Sequence, residues 1–280
     1  MGCVNFILNV AALLLWLNWR VARTDPVGKR KPTTLVGTLR RADGSRPEWR
    51  LAALIGGLLL LRGLLYWKIG SLARWPAELN FGVLTLYFSI PDQTAASLGR
   101  MTLFSILSFG AGLAVLYLWL LLLSILQGPE PMRSFVRSQL GRADGWRRRT
   151  KLLLPLFAGA ALWWAISRLF NALGVLPWPV SEWRRLGEAF IVGAGGYLQW
   201  KYIAVLLLVL HFLNNYIYFG KRPLLDFANA AARTLLVPLK GVPLRVGRLD
   251  LAPLLEAALI WAAAGFGGRL LAYFYVRLAA

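Results

Sequence analysis

The chain has 280 residues, 58% of them hydrophobic and only 16% charged, with a mean hydropathy of +0.57. A water-soluble domain carries about 25% charged residues, so a soluble globular fold is excluded and the chain reads as an integral membrane protein. The net charge of +20, from 32 Lys and Arg against 12 Asp and Glu, fits anionic lipid headgroups rather than nucleic acid, because the basic stretches are interrupted by long lipid-facing runs.

Six apolar stretches are long enough to cross a bilayer, which takes about 20 helical residues. They cover 3–19, 51–67, 102–127, 152–175, 189–213 and 251–276. The first two are short and call for interfacial anchors, which Trp16, Trp19, Tyr66 and Trp67 supply. Between the second and third, the segment 72–101 is the least regular. Its centre, NFGVLTLYFSI, alternates weakly and is rich in aromatic and β-branched residues. It reads as a short strand or an interfacial segment, since Pro76 and Pro91 leave too few residues for a crossing. The expected fold class is therefore an all-α membrane protein with six transmembrane helices.

The basic residues fall unevenly. Loops 20–50, 128–151 and 214–250 hold nine, seven and six of them, whereas the opposite side has six in all. By the positive-inside rule the three long loops are cytoplasmic and both termini face outward. Cys3 is the one cysteine, which excludes an internal disulfide, and no Cys/His cluster has metal-ligand spacing. Phe6 stands where a myristoylation signal has Ser or Thr, so Cys3 reads as an ordinary residue. No cofactor is expected.

The order helix, basic loop, helix recurs three times. A proline follows the first helix of each unit, at Pro32, Pro131 and Pro223, and a mixed apolar and basic stretch follows each proline. The string RADG occurs at 41–44 and again at 142–145, and each second helix carries one arginine before its outer end: Arg62, Arg168 and Arg269. This predicts three hairpin repeats of the form helix–amphipathic loop–helix, at 1–70, 102–175 and 176–280, with an outward linker over 71–101. Apolar spacing at Phe135, Val136 and Leu140, and at Phe227, Ala231, Leu235 and Leu236, predicts a short amphipathic surface helix in each of the last two loops. An unstructured basic linker is the alternative.

The third unit contains DFANAAARTLLVPLKGVPLRVGRLDLAPLLEAAL, residues 226–259. Asn229, Leu236, Pro238, Leu239, Lys240, Pro243, Gly247, Asp250 and Pro253 match, in order, the signature of the YggT family of small bacterial and plastid membrane proteins, which this stretch resembles. The resemblance runs over 195–277; the first two units lack the PL-x-x-x-P and DLAP portions. It implies a protein of the cytoplasmic (inner) or thylakoid membrane, linked to osmotic or ion tolerance, cell division or assembly of membrane complexes, and brings no agreed enzymatic activity. Read physically, Pro238 and Pro243 end the amphipathic stretch, Asp250 caps the last helix, and Pro253 sits in its first turn, where a missing N–H does no harm. The motif then shapes how a surface helix feeds a span; a ligand-binding role is the other reading.

Ionisable residues inside a membrane are functional candidates by default. Arg62, Arg168 and Arg269 lie about 8–12 Å from the outer ends of their helices. They snorkel to the interface, hydrogen-bond to backbone carbonyls of a neighbouring hairpin, or meet at one level to hold an anion or lipid phosphate. Lys201 lies deep in the fifth span, and Glu256 about one and a half turns into the sixth. A Lys201–Glu256 pair would lower the cost of both charges, as a structural clasp or as part of a cation or proton relay with His211. No nucleophile with its base, carboxylate pair or metal set emerges, so no enzyme is expected. The reading that follows is a non-enzymatic scaffold or assembly factor in the lipid bilayer. Its partners are anionic phospholipids or a partner membrane complex, and a small ion channel or transporter is the alternative.

Overall fold

The computed structural model describes residues 2–24, 48–70, 77–88, 95–126, 128–130, 132–172, 181–217, 222–239, 245–246 and 249–279. The architecture is all-α. Among the described residues six segments are long and apolar enough to cross a membrane: Val4–Val21, Trp49–Ile69, Leu98–Leu126, Arg148–Ala172, Glu182–Tyr216 and Ala252–Leu278. The chain divides by contact into two units, Met1–Leu79 with Tyr87–Ala114 and Asn80–Leu86 with Val115–Ala280.

In the first unit α1 (Gly2–Thr24) packs on α2 (Glu48–Leu65), which ends in a π turn over Tyr66–Gly70. The third helix, α3 (Ala95–Leu126), contributes its first part here. Its 32 residues span about 48 Å at 1.5 Å each, starting seven residues before the expected 102. Ala12, Ile55 and Phe109, one from each helix, form an apolar core. Gly63 lets the backbones of α2 and α3 approach, since a Cβ there would stand 3.0 Å from Thr102 Oγ1 and 3.1 Å from Thr102 Cα. Small residues at such crossings matter because lipid is as apolar as leucine, so hydrophobicity does not drive helices together.

The irregular segment is a strand pair, β1 (Ala77–Asn80) with β2 (Thr85–Phe88). Side chains alternate as a pleat requires: Ala77, Leu79, Leu86 and Phe88 are buried while Glu78 and Tyr87 face out. The Phe81 N–H donates to the Leu84 carbonyl at 2.8 Å. Gly82 has φ +87°, a conformation that glycine adopts without a Cβ penalty.

In the second unit, α4 (Met132–Leu140) follows the end of α3. Gly141, with φ +58°, terminates it, and a 3₁₀ turn over Gly141–Gly145 leads to α5 (Arg148–Ala172). Next come α6 (Glu182–Gly195), a 3₁₀ turn over Gly196–Gln199, and α7 (Trp200–Tyr216). The fifth crossing is thus interrupted, and it is 35 residues long rather than the 25 expected from 189–213. The amphipathic α8 (Pro223–Leu235) and the antiparallel pair β3 (Arg245–Val246) and β4 (Leu249–Asp250) precede α9 (Ala252–Ala279). The expected surface helices of the second and third loops are α4 and α8. The counterpart in the first loop, with the first RADG, lies outside the described residues.

Helix α8 buries Leu225, Phe227, Ala228, Ala231 and Ala232 along one face. Phe227, Ala228 and Ala231 pack with Leu122 and Leu126 of α3 and Leu207 of α7, and Ala232 packs with Leu208 and Ala257. Pro223 opens the helix at a position where no N–H is needed. Helices α5 and α6 cross at Gly159 and Gly193: a Cβ on Gly159 would lie 2.9 Å from Gly193 Cα.

Candidate functional site

Arg62 is fully buried in the first unit. Its Nε donates to Ser105 Oγ at 2.9 Å, Nη1 donates to Asn5 Oδ1 at 3.1 Å and to Asn9 Oδ1 at 2.6 Å, and Nη2 donates to the Ser105 carbonyl. Ser105 Oγ donates on to the Leu59 carbonyl at 2.7 Å, and Asn9 Nδ2 donates to Ser108 Oγ at 3.1 Å. The guanidinium carbon stands 5.9 Å from the centre of the Phe104 ring. One-turn spacing puts Asn5 and Asn9 on the same face of α1, so both amides reach one cation. No carboxylate among the described residues pairs with Arg62. The charge is solvated by neutral amides, a hydroxyl and a carbonyl, which replace water in a dry interior.

Arg62, Arg168 and Arg269 have different surroundings. Arg62 is enclosed and therefore does not snorkel. Arg168 is half-exposed, stacked over Trp164 at 4.1 Å and 3.9 Å from Glu182 Oε2. Arg269 is exposed. Equal places in the sequence pattern have unlike neighbours: Asn5 and Asn9 serve Arg62, whereas an acidic residue at the start of α6 serves Arg168.

The expected Lys201–Glu256 pair is also absent. Lys201 lies in the first turn of α7, and its ammonium sits 5.0 Å from the centre of the Tyr202 ring and 4.8 Å from that of Trp261. Trp261 follows Glu256 by five residues, about 7.5 Å along α9 and about 140° around it at 3.6 residues per turn. Lys201 meets the exposed side carrying Trp261, while Glu256 is turned inward and buried. His211 does not join Lys201 either, being ten residues away, about 15 Å. Its Nδ1 instead hydrogen-bonds at 2.8 Å to Asn229 Oδ1, the amide oxygen accepting. The signature asparagine of α8 is thereby tied to α7.

The other signature positions gather where α8 gives way to α9. Pro238 is exposed, in the 3₁₀ turn Val237–Leu239 that follows α8. Asp250 Oδ1 accepts from the Ala252 N–H at 3.0 Å, at the start of α9, and the Asp250 N–H donates to Tyr216 Oη at 2.5 Å. Pro253 is fully buried in the first turn. Pro243, Lys240 and Gly247 lie outside the described residues.

One cluster was not foreseen. The second RADG places Asp144 in the 3₁₀ turn after α4. Ser124 Oγ donates to Asp144 Oδ1 at 2.5 Å, Arg137 Nε donates to Oδ2 at 3.3 Å, and Lys151 Nζ lies 3.6 Å from Oδ1. The buried Lys151 also donates to Ser124 Oγ at 2.6 Å. Burial works against ionisation of Asp144, but hydrogen bonds from Ser124 and Arg137 and the charge of Lys151 outweigh it, and the carboxyl is held below its ordinary range. Ser124 therefore has charged neighbours on both sides. Its proton points at a carboxylate that stays ionised at neutral pH and is a weak base, so the Lys–Ser–Asp chain clamps α3, α4 and α5 rather than activating a nucleophile. The repeated string was the available signal; the partners, distant in sequence, were not visible.

Around this clamp Arg133, Arg137, Arg142, Arg147, Arg148 and Arg149 are all exposed, together with Trp146 and Phe135. Among the described residues no group of His, Cys, Asp and Glu is placed to hold a metal ion.

Fold and site together define a multi-pass, all-α membrane protein. Comparison of the chain with protein-family models, with curated proteins and with solved structures finds no match.

Proposed function

We propose that the protein is a non-enzymatic membrane scaffold or assembly factor of the YggT kind. It acts through basic amphipathic elbows on anionic phospholipids or on a partner complex in the cytoplasmic membrane. The observation that carries this reading is the set of six exposed arginines displayed by α4, the 3₁₀ turn and the start of α5. The Asp144 clamp fixes their backbone. Anionic headgroups attract such a segment at about 1 kcal/mol per basic residue close to the surface, and Trp146 suits the headgroup level. The surplus of basic residues in the three long loops supports placing these elbows on the cytoplasmic side with both termini outward. The recurrence of RADG and of the prolines supports an origin in three like hairpins, and the signature at 226–259 supports the family.

Lipid retention tests it. Wild type and the triple variant R147Q/R148Q/R149Q are purified in mild detergent from membranes of equal composition, and bound phosphatidylglycerol is counted by native mass spectrometry. Several-fold lower retention in the variant is expected. Equal retention, with partner co-purification also unaffected by scrambling residues 226–250, sinks the reading.

One feature favours ion conduction as a second reading: the fifth crossing is interrupted at Gly196–Gln199, and the tip of the strand pair rests on that break. A Cβ on Gly195 would lie 2.7 Å from Val83 Cγ2, and Phe81 meets Trp163 edge to face with ring centres 5.5 Å apart. Interrupted helices line many transport paths. Potassium or proton flux into liposomes, enhanced when Phe81 and Val83 are replaced by Ala, would favour it.

A further inference from the structure

Lys201 differs from Arg62 and Arg168 in what surrounds it. Arg62 has neutral acceptors on three of its nitrogens, and Arg168 has Glu182. Among the described residues, no hydrogen-bond acceptor and no carboxylate meets the Lys201 ammonium; it rests on the rings of Tyr202 and Trp261 alone. Both rings are about half-exposed, at 45% and 51%, and stand edge to face at 5.7 Å. They form one outward aromatic patch shared by α7 and α9.

Depth makes this unusual. Tyr216 ends α7 fifteen residues beyond Lys201, about 22 Å away, and Trp261 lies nine residues past the start of α9, about 14 Å. The count along α9 places the ammonium near the middle of a hydrocarbon core about 30 Å thick, and the count along α7 places it still further from the side of loop 214–250. On the side of loop 214–250 the interface is too far for the side chain to reach, so an anionic headgroup of that face is not the natural counter-charge. Ring faces attract a cation, yet they do not neutralise it.

We propose that the Lys201–Tyr202–Trp261 patch is the docking site for a membrane-spanning helix of a partner protein bearing an Asp or Glu at mid-depth. Charge complementarity supplies the specificity. An unpaired ammonium in lipid and an unpaired carboxylate in lipid are each costly, and pairing removes both penalties at once. The patch offers Tyr202 and Trp261 as flanking contact area, and large aromatic residues dominate binding at such surfaces. A second copy of this chain is a poorer occupant, because Glu256, an acidic residue of its sixth span, is buried. The proposal rests on the scaffold reading and names the chemistry of its partner.

The test uses full-length protein labelled at Cys3, its one cysteine, and reconstituted in liposomes. The probe is a synthetic Leu/Ala membrane-spanning peptide with one central Glu, compared with the same peptide carrying Gln. Energy transfer from protein to peptide is titrated for wild type, K201Q and K201R. The Glu peptide is expected to bind wild type and K201R about tenfold more tightly than the Gln peptide, one charge pair's worth of discrimination. K201Q is expected to erase the difference. Equal binding of the two peptides, or a preference that survives in K201Q, overturns the proposal. So does transfer between differently labelled copies of the chain that Lys201→Gln abolishes, since a second copy would then cover the patch. Lipid retention through Arg147, Arg148 and Arg149 is read separately, so either idea can fail while the other stands.

Discussion

Arg62 donates to Asn9 Oδ1 at 2.6 Å, from the second membrane-crossing helix to the first. This bond belongs to a shell of neutral acceptors that takes the place of a counter-ion. Replacing one acceptor should therefore be costly while the charge remains. Asn9→Ala is expected to lower stability by about 1.5–3 kcal/mol, the range for a hydrogen bond to a charged group. Adding Arg62→Leu to Asn9→Ala should recover part of that loss, because an apolar site strands less polarity than a lone buried cation. Thermal unfolding in one detergent, with the two singles and the double, measures the coupling. Purely additive losses would show that Arg62 and Asn9 do not act together.

The clamp at Asp144 makes a prediction about acid. The carboxyl is held below its ordinary value in the folded protein, so its contribution is complete above the unfolded carboxyl value of about 3.9 and is lost as pH falls through the lower, folded value. Amide exchange across residues 132–145 should thus be flat between about pH 5 and 8 once intrinsic rates are removed, with protection falling below about pH 4. Asp144→Asn should abolish that acid dependence and weaken protection by about 1 kcal/mol above about pH 5, the difference from wild type vanishing in acid. Protection in the variant that still drops in acid would mean another group is responsible.

The α5–α6 crossing predicts opposite outcomes for two glycines. A Cβ on Gly193 would overlap the Leu156 carbonyl oxygen and come within 2.9 Å of the Ala160 nitrogen, both of them backbone. Gly193→Ala should cost about 1–3 kcal/mol as the helices are forced apart. Gly265 in α9 has nothing within 4 Å of an added Cβ, so Gly265→Ala should leave stability unchanged or raise it by up to about 1 kcal/mol through helix propensity. Melting temperatures of the two variants in the same detergent decide it; equal effects would mean that close backbone contact at Gly193 is not a determinant of packing.

Local features were legible to different degrees. Residues 80–90 showed the alternation of a strand, but β1 was missed, because only its partner β2 and the buried side of the pair give Ala77 and Leu79 a face to fill. The interruption at Gly196–Gln199 left no mark in hydropathy, since YLQW is apolar enough to pass as mid-span. It is held by paired indoles: Trp119 Nε1 donates to the Gln199 carbonyl and Trp200 Nε1 to the Leu118 carbonyl, each at 2.9 Å. Asp250 as a cap was visible because capping is local, depending on the few residues that follow.

The chain alone determined the number of crossings, the helical class and the two amphipathic elbows at 132–140 and 223–235, because each depends on hydropathy and periodicity within one stretch. Tertiary structure decided what surrounds every intramembrane charge. Arg62, Arg168, Arg269 and Lys201 occupy comparable stretches of apolar sequence, yet one is enclosed by amides and a serine, one meets an acid, one is exposed, and one lies on two rings. A buried ion takes its environment from residues that folding brings within about 3–5 Å, and nothing in its own stretch of sequence records which ones those will be.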